Sequence, residues 1–377
     1  MPAEETKEVV GKKTTPQKKK NPVPKKHSRF TLAHISAVEK IFFVQNLAVL
    51  VKAGFSLSNG LITVAKQTTN KRLKEVVDHL ALDVQSGVSF ATALRRYEKV
   101  FDPLFINMIE AGELSGKLEL TLNELAIQMK KSHSLFLKVR NALAYPTIIL
   151  IAMLFIGTGM MIFVIPKIVA LYADASYQLP LITRIVITLS DFIIGHGILT
   201  AGVLIAFITL IILLYKQAAI QLAVHRLLLR MPVVGTLIRE FNVARFSRVF
   251  HSLISTDIPI IETFTIITKT LGNRAYQEFL RTIIPQLERG VSIGAAIGQN
   301  PQLFPATVVE MIIVAEASGS LEEMTKEIAE HFEEEVSTAM DGLSVLIEPL
   351  LMLSLGVAVG LIAVAVLWPM YNLVNVI

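Results

Sequence analysis

Two short motifs combine an acid, a serine and a glycine, residue types that can bind a cation or close the end of a helix. They are Glu113-x-Ser115-Gly116 and Glu316-x-Ser318-Gly319. Each lies at an expected junction between two helices. The carboxylate could pair with a partner protein or bind a cation. It could instead accept hydrogen bonds from the free N–H groups that begin the next helix, with the glycine forming the turn. Because both halves of the chain carry the motif, the structural role is favoured.

The first motif also resembles a phosphate-binding loop. From Gly112 to Lys117 the chain reads GELSGK. A P-loop has four residues between its first glycine and the Gly-Lys pair, has Ser or Thr after the lysine, and follows a β-strand. Here only three residues intervene, Leu118 follows the lysine, and no strand pattern precedes the loop. The sequence therefore predicts that this loop does not bind ATP.

An acidic stretch around His331 is the strongest candidate for a metal site. Glu330 precedes the histidine, and Glu333, Glu334 and Glu335 follow it. There is no HExxH motif and no paired histidine–carboxylate spacing. The stretch could hold a weak Ca²⁺ or Mg²⁺ ion, dock a basic partner or form a solvated acidic face, which is the commonest of the three. With no cysteine in the chain and no catalytic set of acids or of Ser, His and Asp, we expect no cofactor, no metal and no enzymatic activity.

The elements around these motifs occur twice. A shift of 203 residues aligns the two halves without a gap, so that Phe43 meets Phe246 and Met108 meets Met311. The same shift aligns the two acid-serine-glycine motifs, and it places Pro146 over Pro349. The chain therefore contains one structural unit used twice, a polar region that leads into an apolar run.

The apolar runs have the length of membrane spans. Hydrophobic residues are 53% of the chain and charged residues 18%, as in a membrane protein with large polar regions. A bilayer needs roughly 20 apolar residues, and three runs meet this need: Thr147–Ile165, Gly197–Tyr215 and Leu350–Trp368. We expect membrane helices at 146–166, 197–216 and 349–368. The short external segment 167–196 would include Leu181–Gly195 as an interfacial or juxtamembrane extension of the second span.

The polar regions, residues 30–144 and 217–346, have the pattern of helical bundles. Apolar residues recur at helical spacing from Ile41 to Val51 and from Leu118 to Met129. Glycines and the Asp102-Pro103 pair mark turns, and no two-residue alternation indicates a sheet. The predicted fold is an all-α membrane protein with two repeated cytoplasmic helical-bundle domains and three transmembrane helices.

Charge around the spans predicts the orientation. Lysines and arginines are more frequent before the first span and after the second than in the loop between these spans, so those sides should face the cytoplasm. The third span copies the first and should also run outward, which leaves residues 369–377 outside. The Lys-rich segment 1–29 lacks the apolar region of a signal peptide and should be a disordered cytoplasmic tail. Binding of nucleic acid or anionic lipid by this tail is the less favoured alternative.

Several residues in or near the spans are candidates for packing or anchoring. Pro146 and Pro349 are expected in the first turn of their spans, where a missing N–H costs nothing. Glu348 would then be an interfacial anchor at a helix N-terminus, or an inter-subunit contact. Small residues suit close approach of helices, either between molecules or within one: Gly157 and Gly159 in the first span, Gly356 and Gly360 in the third.

These residues resemble those of a known family. The sequence from Lys138 to Tyr145-Pro146, followed by Ile165-Pro166, is similar to the signature of the type II secretion system F protein family. Both acid-serine-glycine motifs and Glu348-Pro349 resemble that family too. The resemblance covers residues 30–377 and leaves out only the tail.

The resemblance implies a non-enzymatic platform protein of type II secretion, type IV pilus or competence machinery. Such a protein is a multi-pass oligomer of the cytoplasmic (inner) membrane. Its implied partners are a hexameric ATPase, the transmembrane helix of a pilin or pseudopilin, and bitopic inner-membrane subunits, with no nucleic acid. It would couple the ATPase to the extraction of pilin-like subunits from the bilayer.

A small membrane transporter or channel subunit is the alternative function. A repeat inside a membrane protein would suit it. However, the first and third spans contain no ionisable residue, so three spans offer no evident path for a substrate.

Overall fold

The computed structural model describes residues 35–166 and 181–374, and every regular element in these ranges is helical. The first copy contains α1 (Ala37–Lys52), α2 (Leu57–Gln67), α3 (Lys71–Gln85), α4 (Phe90–Arg95), α5 (Pro103–Leu114) and α6 (Leu118–Gly159), which continues as a π-helix, Met160–Val164. Three helices connect the copies: α7 (Leu181–Gly195), α8 (Gly197–Tyr215) and α9 (Ala218–Arg230). The second copy contains α10 (Val234–Ile254), α11 (Ile260–Thr270), α12 (Arg274–Glu288), α13 (Ile293–Ile297), α14 (Ala306–Ser318) and α15 (Leu321–Val374).

The repeat read from the sequence reappears in the helix boundaries. From α2 to α6, each helix of the first copy begins at the residue that the repeat aligns with the start of its counterpart, α11 to α15. Two of these boundaries also use the same cap. Asn70 and Asn273 accept backbone hydrogen bonds at the start of α3 and α12, as Ser89 and Ser292 do at the start of α4 and α13. Local capping chemistry therefore sets equivalent helix starts in both copies.

Each copy packs around equivalent aromatic side chains. The rings of Phe43 and Phe101 have centroids 5.8 Å apart in the first copy, and those of Phe246 and Phe304 have centroids 5.0 Å apart in the second. All four side chains are buried. Burial of this size drives the collapse of each helical bundle.

The last helix of each copy crosses the expected boundary between bundle and span without a break. Helix α6 begins at Leu118 and contains Pro146 in its interior, and α15 begins at Leu321 and runs past Glu348 and Pro349. The prediction that the two prolines and Glu348 lie in the first turn of separate span helices is therefore wrong. One interior proline removes a single i to i−4 hydrogen bond. The part of the helix before the proline packs in the bundle and the part after it is a long apolar run, and both parts favour a continuous helix.

The two copies pack against each other through these long helices. Helix α6 lies along α15 and also contacts α10, while α5 contacts α11. Lys131 Nζ lies 3.7 Å from Glu333 Oε2, and further along the pair Lys138 Nζ donates to Ser337 Oγ at 2.7 Å. Because both contacts advance towards the C-terminus on both helices, α6 and α15 run parallel. A parallel pair agrees with the predicted common direction of the first and third spans.

Within residues 35–166 and 181–374, two helices are long and apolar enough to cross a membrane, over Leu118–Val164 and Leu321–Val357. A third crossing is counted when Ile205–Tyr215 and Ala218–Arg230 are taken as one bent span, with 91° between its halves. Helix α8 alone has 19 residues, about 28 Å of helix, close to the thickness of a hydrocarbon core. Its end at Tyr215 lies one residue short of the predicted span, 197–216.

Helix α7 occupies much of the segment predicted as an external loop. It packs on the π-helix and on α15, and Ser190 Oγ donates to Met161 O at 2.6 Å. A π-helix closes hydrogen bonds between residues five apart, and the serine hydroxyl adds a donor from α7 to one carbonyl of this turn. Leu181–Gly195 is therefore a separate helix docked on the first span, and the backbone changes conformation at His196 before α8.

Other predicted segments lie wholly or partly outside the described residues. The tail, 1–29, is outside, as are residues 167–180 of the loop and 375–377 of the external C-terminus. Residues 369–374, which the sequence places after the third span, continue helix α15.

Candidate functional site

The two motif carboxylates bind the N-termini of short helices. Glu113 accepts hydrogen bonds from Phe90 N at 2.8 Å and Ala91 N at 3.1 Å, the first two amides of α4. In the second copy, Glu316 accepts from Ile293 N at 2.9 Å and Gly294 N at 3.3 Å, at the start of α13. Each acid thus satisfies two free N–H groups and lies at the positive end of a helix dipole.

These contacts correct one part of the sequence interpretation. The sequence predicted that each acid would serve the helix that follows it, but the amides belong to the helix that precedes the acid's own helix, α4 before α5 and α13 before α14. The physical reason is that α4 and α13 have only 6 and 5 residues. Helices this short are unstable alone, and a charged cap from the neighbouring helix holds each against its bundle.

The serine and glycine of each motif also have local roles. Ser115 Oγ donates to Ala111 O at 2.8 Å, and Ser318 Oγ donates to Val314 O at 2.9 Å. Gly116 and Gly319 have φ angles of 71° and 73°, the left-handed conformation that favours glycine. The motif is therefore built as a helix-ending turn with a remote cap, and the geometry favours the structural interpretation over a cation site.

The other predicted residues lie along the long helices. Tyr145 is half-exposed and Pro146 is buried in α6, whereas Glu348 and Pro349 are exposed in α15. Because Glu348 lies in the helix interior, the dipole argument for an N-terminal anion does not apply to it.

The four span glycines have no close neighbour in the part of the chain that the structure describes. They are Gly157, Gly159, Gly356 and Gly360. Among the described residues, no heavy atom lies within 4 Å of the position that a Cβ would occupy at any of them, the helix's own nearby backbone aside. Of the two interpretations left open by the sequence, the described residues therefore favour contact with another molecule over packing inside one protomer.

A charged cleft of about 580 Å³ lies between the two copies. Glu124 and Lys131 line it from α6, Arg248 and His251 from α10, and Gly319 and Glu330 from the α14–α15 region. One predicted motif glycine thus borders the cleft. Its wall joins both copies, so the cleft exists only when they are packed together.

Arg248, which lines this cleft, forms a bidentate ion pair with Glu333. Arg248 Nε donates to Glu333 Oε1 and its terminal Nη2 donates to Oε2, both at 2.8 Å. The two side chains are 6% and 15% exposed, so the bidentate pair is largely desolvated. Lys131 from the first copy approaches the same carboxylate. Glu333 therefore contacts one cation from its own copy, Arg248, and one from the first copy, Lys131.

Sequence reasoning missed this pair, although one signal was available. At the aligned positions the first copy has Gln45 in place of Arg248 and Lys130 in place of Glu333. A charge that appears in only one of two repeated units indicates a role that the units do not share. The acidic stretch was considered as a metal site, a docking surface or a solvated face, and not as the partner of a buried arginine; among the described residues no group of three or more metal-ligating side chains could hold an ion.

Two further charged groups are influenced by the packing of the copies. Burial lowers the pKa of Arg245 on α10, while the carboxylate of Asp102, which caps α5 in the first copy, acts in the opposite direction. Burial raises the pKa of Glu240, and the negative charge of Glu335 on the adjacent helix adds to this rise. Each group therefore has a charged partner on another helix, Glu335 on α15 for Glu240 and Asp102 in the first copy for Arg245.

Comparisons with known proteins agree with the repeat and with the motifs. Residues 43–166 and 246–369 each match the family described as Type II secretion system (T2SS), protein F. The two matches begin at Phe43 and Phe246 and end at Pro166 and Pro369, which are pairs that the repeat aligns.

Curated relatives cover most of the chain. A type IV pilus assembly protein PilC of Thermus thermophilus is 31% identical over 333 residues, 88% of this chain and 82% of the relative. The protein transport protein HofC homolog of Escherichia coli is 32% identical over 332 residues, 88% and 82% of the two chains. A type II secretion system protein F of Pseudomonas aeruginosa is 28% identical over 346 residues, 92% and 85%.

The family resemblance and the all-helical membrane fold predicted from the sequence are therefore confirmed. The chain belongs to the type II secretion system protein F family.

Proposed function

We propose that this protein is the inner-membrane platform of a type IV pilus or type II secretion machine, without enzymatic activity of its own. Its two bundles would lie in the cytoplasm and be engaged by a hexameric ATPase. Its three spans would guide a pilin or pseudopilin helix out of the bilayer, beside bitopic membrane subunits and further copies of the chain. The N-terminus would be cytoplasmic and the C-terminus external.

The observation that carries this proposal is the continuity of α6 and α15. Each helix begins inside a bundle, at Leu118 or Leu321, and continues into an apolar run. A displacement applied to a bundle would therefore move a span directly, since no flexible joint interrupts the helix. The contacts of Lys131 with Glu333 and of Lys138 with Ser337 link the two helices, so both spans would move together.

The exposed surface of the span regions supports a role in assembly with other membrane proteins. Leu154 and Phe155 in α6 are 70% and 74% exposed, and Leu353 in α15 is 68% exposed. Such surfaces are solvated by lipid or by other membrane helices. The span glycines have open space where a Cβ would lie, as far as the described residues show, and so offer places where such helices could approach closely.

Reconstitution tests the proposal. The full-length chain in lipid nanodiscs would be mixed with the assembly ATPase of its own organism, and ATP turnover would be compared with empty nanodiscs. Binding with raised turnover is expected. A folded chain that neither binds the ATPase nor changes its turnover would contradict the platform function, and an ion or solute flux measured in liposomes would then support the transporter alternative.

A further inference from the structure

The junction between α8, α9 and α10 has no assigned role. Helix α8 ends at Tyr215, and α9 leaves it at an angle of 91° after Lys216 and Gln217. If α8 crosses the bilayer, as the proposed function requires, α9 must lie close to the plane of the membrane. A sharp turn, Met231 to Val234, then joins α9 to α10.

The packing of α10 independently places this turn at the membrane surface. Arg248 in α10 pairs with Glu333, and His251 Nδ1, further along α10, lies 3.0 Å from Glu322 O, earlier in α15. The two helices are therefore antiparallel. Val234 lies about 21 Å from Arg248 along α10, and Glu348 lies about 22 Å from Glu333 along α15, at 1.5 Å per residue. The turn thus lies at the level where the third apolar run begins.

The turn exposes apolar side chains at this level. Met231 is 45% exposed, Val233 is 64% exposed and Leu227 on α9 is 63% exposed. Val233 also has a φ of 66°, a strained conformation that a β-branched residue rarely adopts. The fold therefore holds a strained valine outward, where water would be its least favourable surrounding.

Cations accompany the apolar residues. Lys216 and Arg230, at the two ends of α9, are exposed, and no carboxylate among the described residues pairs with either of them. Arg226 differs, since it donates to Glu278 at 2.9 Å. An amphipathic helix with cations and exposed apolar residues, lying in the membrane plane, has the pattern of an interfacial anchor.

The junction is held rigidly in this orientation. Arg274 N donates to His225 Nδ1 at 3.1 Å, so the neutral ring carries its proton on Nε2 and donates it to Tyr215 Oη at 3.1 Å. The corner between α8 and α9 is thereby tied to the second bundle. Such bracing fixes the orientation of α9, whose exposed ends carry Lys216 and Arg230, relative to the second bundle.

We propose that α9 and the Met231–Val234 turn form an anionic-phospholipid site on the cytoplasmic face of the bilayer that α8 crosses. Lys216 and Arg230 bind phosphate headgroups, and Val233 inserts among the upper acyl carbons. The bilayer is the occupant because α8 continues directly into the site and because the free charges are positive. Each such cation adds to the attraction towards an anionic membrane surface.

Single-cysteine labelling tests the depth of the turn, because the chain has no cysteine. Spin labels at Val233→Cys, Val291→Cys and Leu210→Cys would be compared in nanodiscs for collision with oxygen and with a water-soluble nickel chelate. Val291 is an exposed valine two residues before Ile293, the first residue of α13. The amide of Ile293 is capped by Glu316, which lies five residues before the start of α15. Val291 therefore lies about 40 Å of helix from Glu348 and is the aqueous control. Leu210, in the C-terminal half of α8, reports the span itself.

The three labels distinguish failure of the proposed lipid site from failure of the membrane topology on which it rests. A label at 233 that is shielded from nickel, with the label at 291 accessible and that at 210 deep, is the expected result. Equal nickel accessibility at 233 and 291, with 210 still deep, would overturn the lipid site and leave the topology intact. An accessible label at 210 would overturn the topology on which the site rests. Shielding of 233 that appears only when the ATPase is added would assign the surface to a protein and overturn the lipid proposal.

A charge test addresses the headgroups. Thermal unfolding would be followed in nanodiscs of phosphatidylcholine alone and with phosphatidylglycerol. Wild type should be stabilised by the anionic lipid, Lys216→Gln/Arg230→Gln should lose most of that stabilisation, and Lys216→Arg/Arg230→Lys should keep it. Arg281→Gln/Arg289→Gln in the second bundle is the matched control. A full response to anionic lipid in the neutralised variant would overturn the site.

Discussion

Lys131 in the first copy lies 3.7 Å from Glu333 in the second, on two parallel helices that both lead to membrane spans. The carboxylate is already held by Arg248 within its own copy. Lys131 thus contacts, from a more exposed position, a carboxylate that is already paired with the buried Arg248. The two cations should therefore differ sharply in their contribution to stability.

Replacement of each cation tests this difference. Arg248→Ala should destabilise the folded chain by about 3 kcal/mol or more, because Glu333 would keep a largely buried charge without its bidentate partner. Lys131→Ala should cost about 1 kcal/mol or less, since its contact is longer and half-exposed. Thermal unfolding of both variants in detergent measures the contrast, and equal losses would contradict the assignment of Arg248 as the inner partner.

The capping acids should contribute equally in the two copies. Glu113→Gln and Glu316→Gln should each destabilise by about 1–3 kcal/mol, because an amide accepts backbone hydrogen bonds more weakly than a carboxylate and loses the interaction with the helix dipole. Glu98→Gln, at an exposed position in the first copy, is the control and should have little effect. Chemical denaturation of the three variants would decide, and a Glu113→Gln variant as stable as the control would show that the cap is dispensable.

Gly112 leaves room for the side chain of Thr121. A Cβ at position 112 would lie 2.3 Å from Thr121 Oγ1 and 2.7 Å from its Cβ. Gly112→Ala should therefore cost about 1–3 kcal/mol through overpacking, and Thr121→Ala should rescue only part of this loss because the contact with Cβ remains. Gly342→Ala, an open and exposed helical position, should not destabilise. A stable Gly112→Ala protein in a thermal melt would show that α5 and α6 can separate freely.

Acidification should loosen the corner at His225. Burial, with the positive charge of Arg274 as the second cause, lowers the pKa of this histidine below its usual 6.5. The folded state thus favours the neutral ring. Its contribution to stability is complete above the unfolded pKa and is lost as the pH falls from 6.5 towards the lower folded pKa. Protonation of Nδ1 also removes the acceptor for Arg274 N.

Melting temperatures at about pH 7.5 and about pH 5.5 would measure this effect. The wild type should lose more stability on acidification than His225→Gln, whose amide does not titrate. Identical pH dependence of the two proteins would show that His225 is not held neutral.

The sequence predicted the repeated units well because their determinants are local. Asn70 and Ser89 recur as caps at Asn273 and Ser292, and the periodic apolar residues that form each core are visible in a single copy. The start of α8 was predicted at the observed residue and its end one residue too late, since an uninterrupted apolar run has few alternative structures.

The sequence could not predict the features that depend on distant packing. Pro146 and Pro349 were interpreted as helix starts from local propensity, but tertiary contacts along α6 and α15 outweigh one missing hydrogen bond. The target of Glu113 lies on another helix, and the pair of Arg248 with Glu333 joins residues 85 positions apart. Nothing in the local pattern around either residue specifies such a partner.

Interruption of one long helix tests the central claim most directly. A Gly-Gly-Ser-Gly insertion after Leu143 would separate the first bundle from its span within α6, and the same insertion between Glu98 and Lys99, in an exposed turn, is the control. Both variants should reach the membrane in equal amounts and stimulate the ATPase, but only the control should support assembly of pili or pseudopili in cells. Normal assembly with the insertion after Leu143 would contradict direct mechanical coupling through α6.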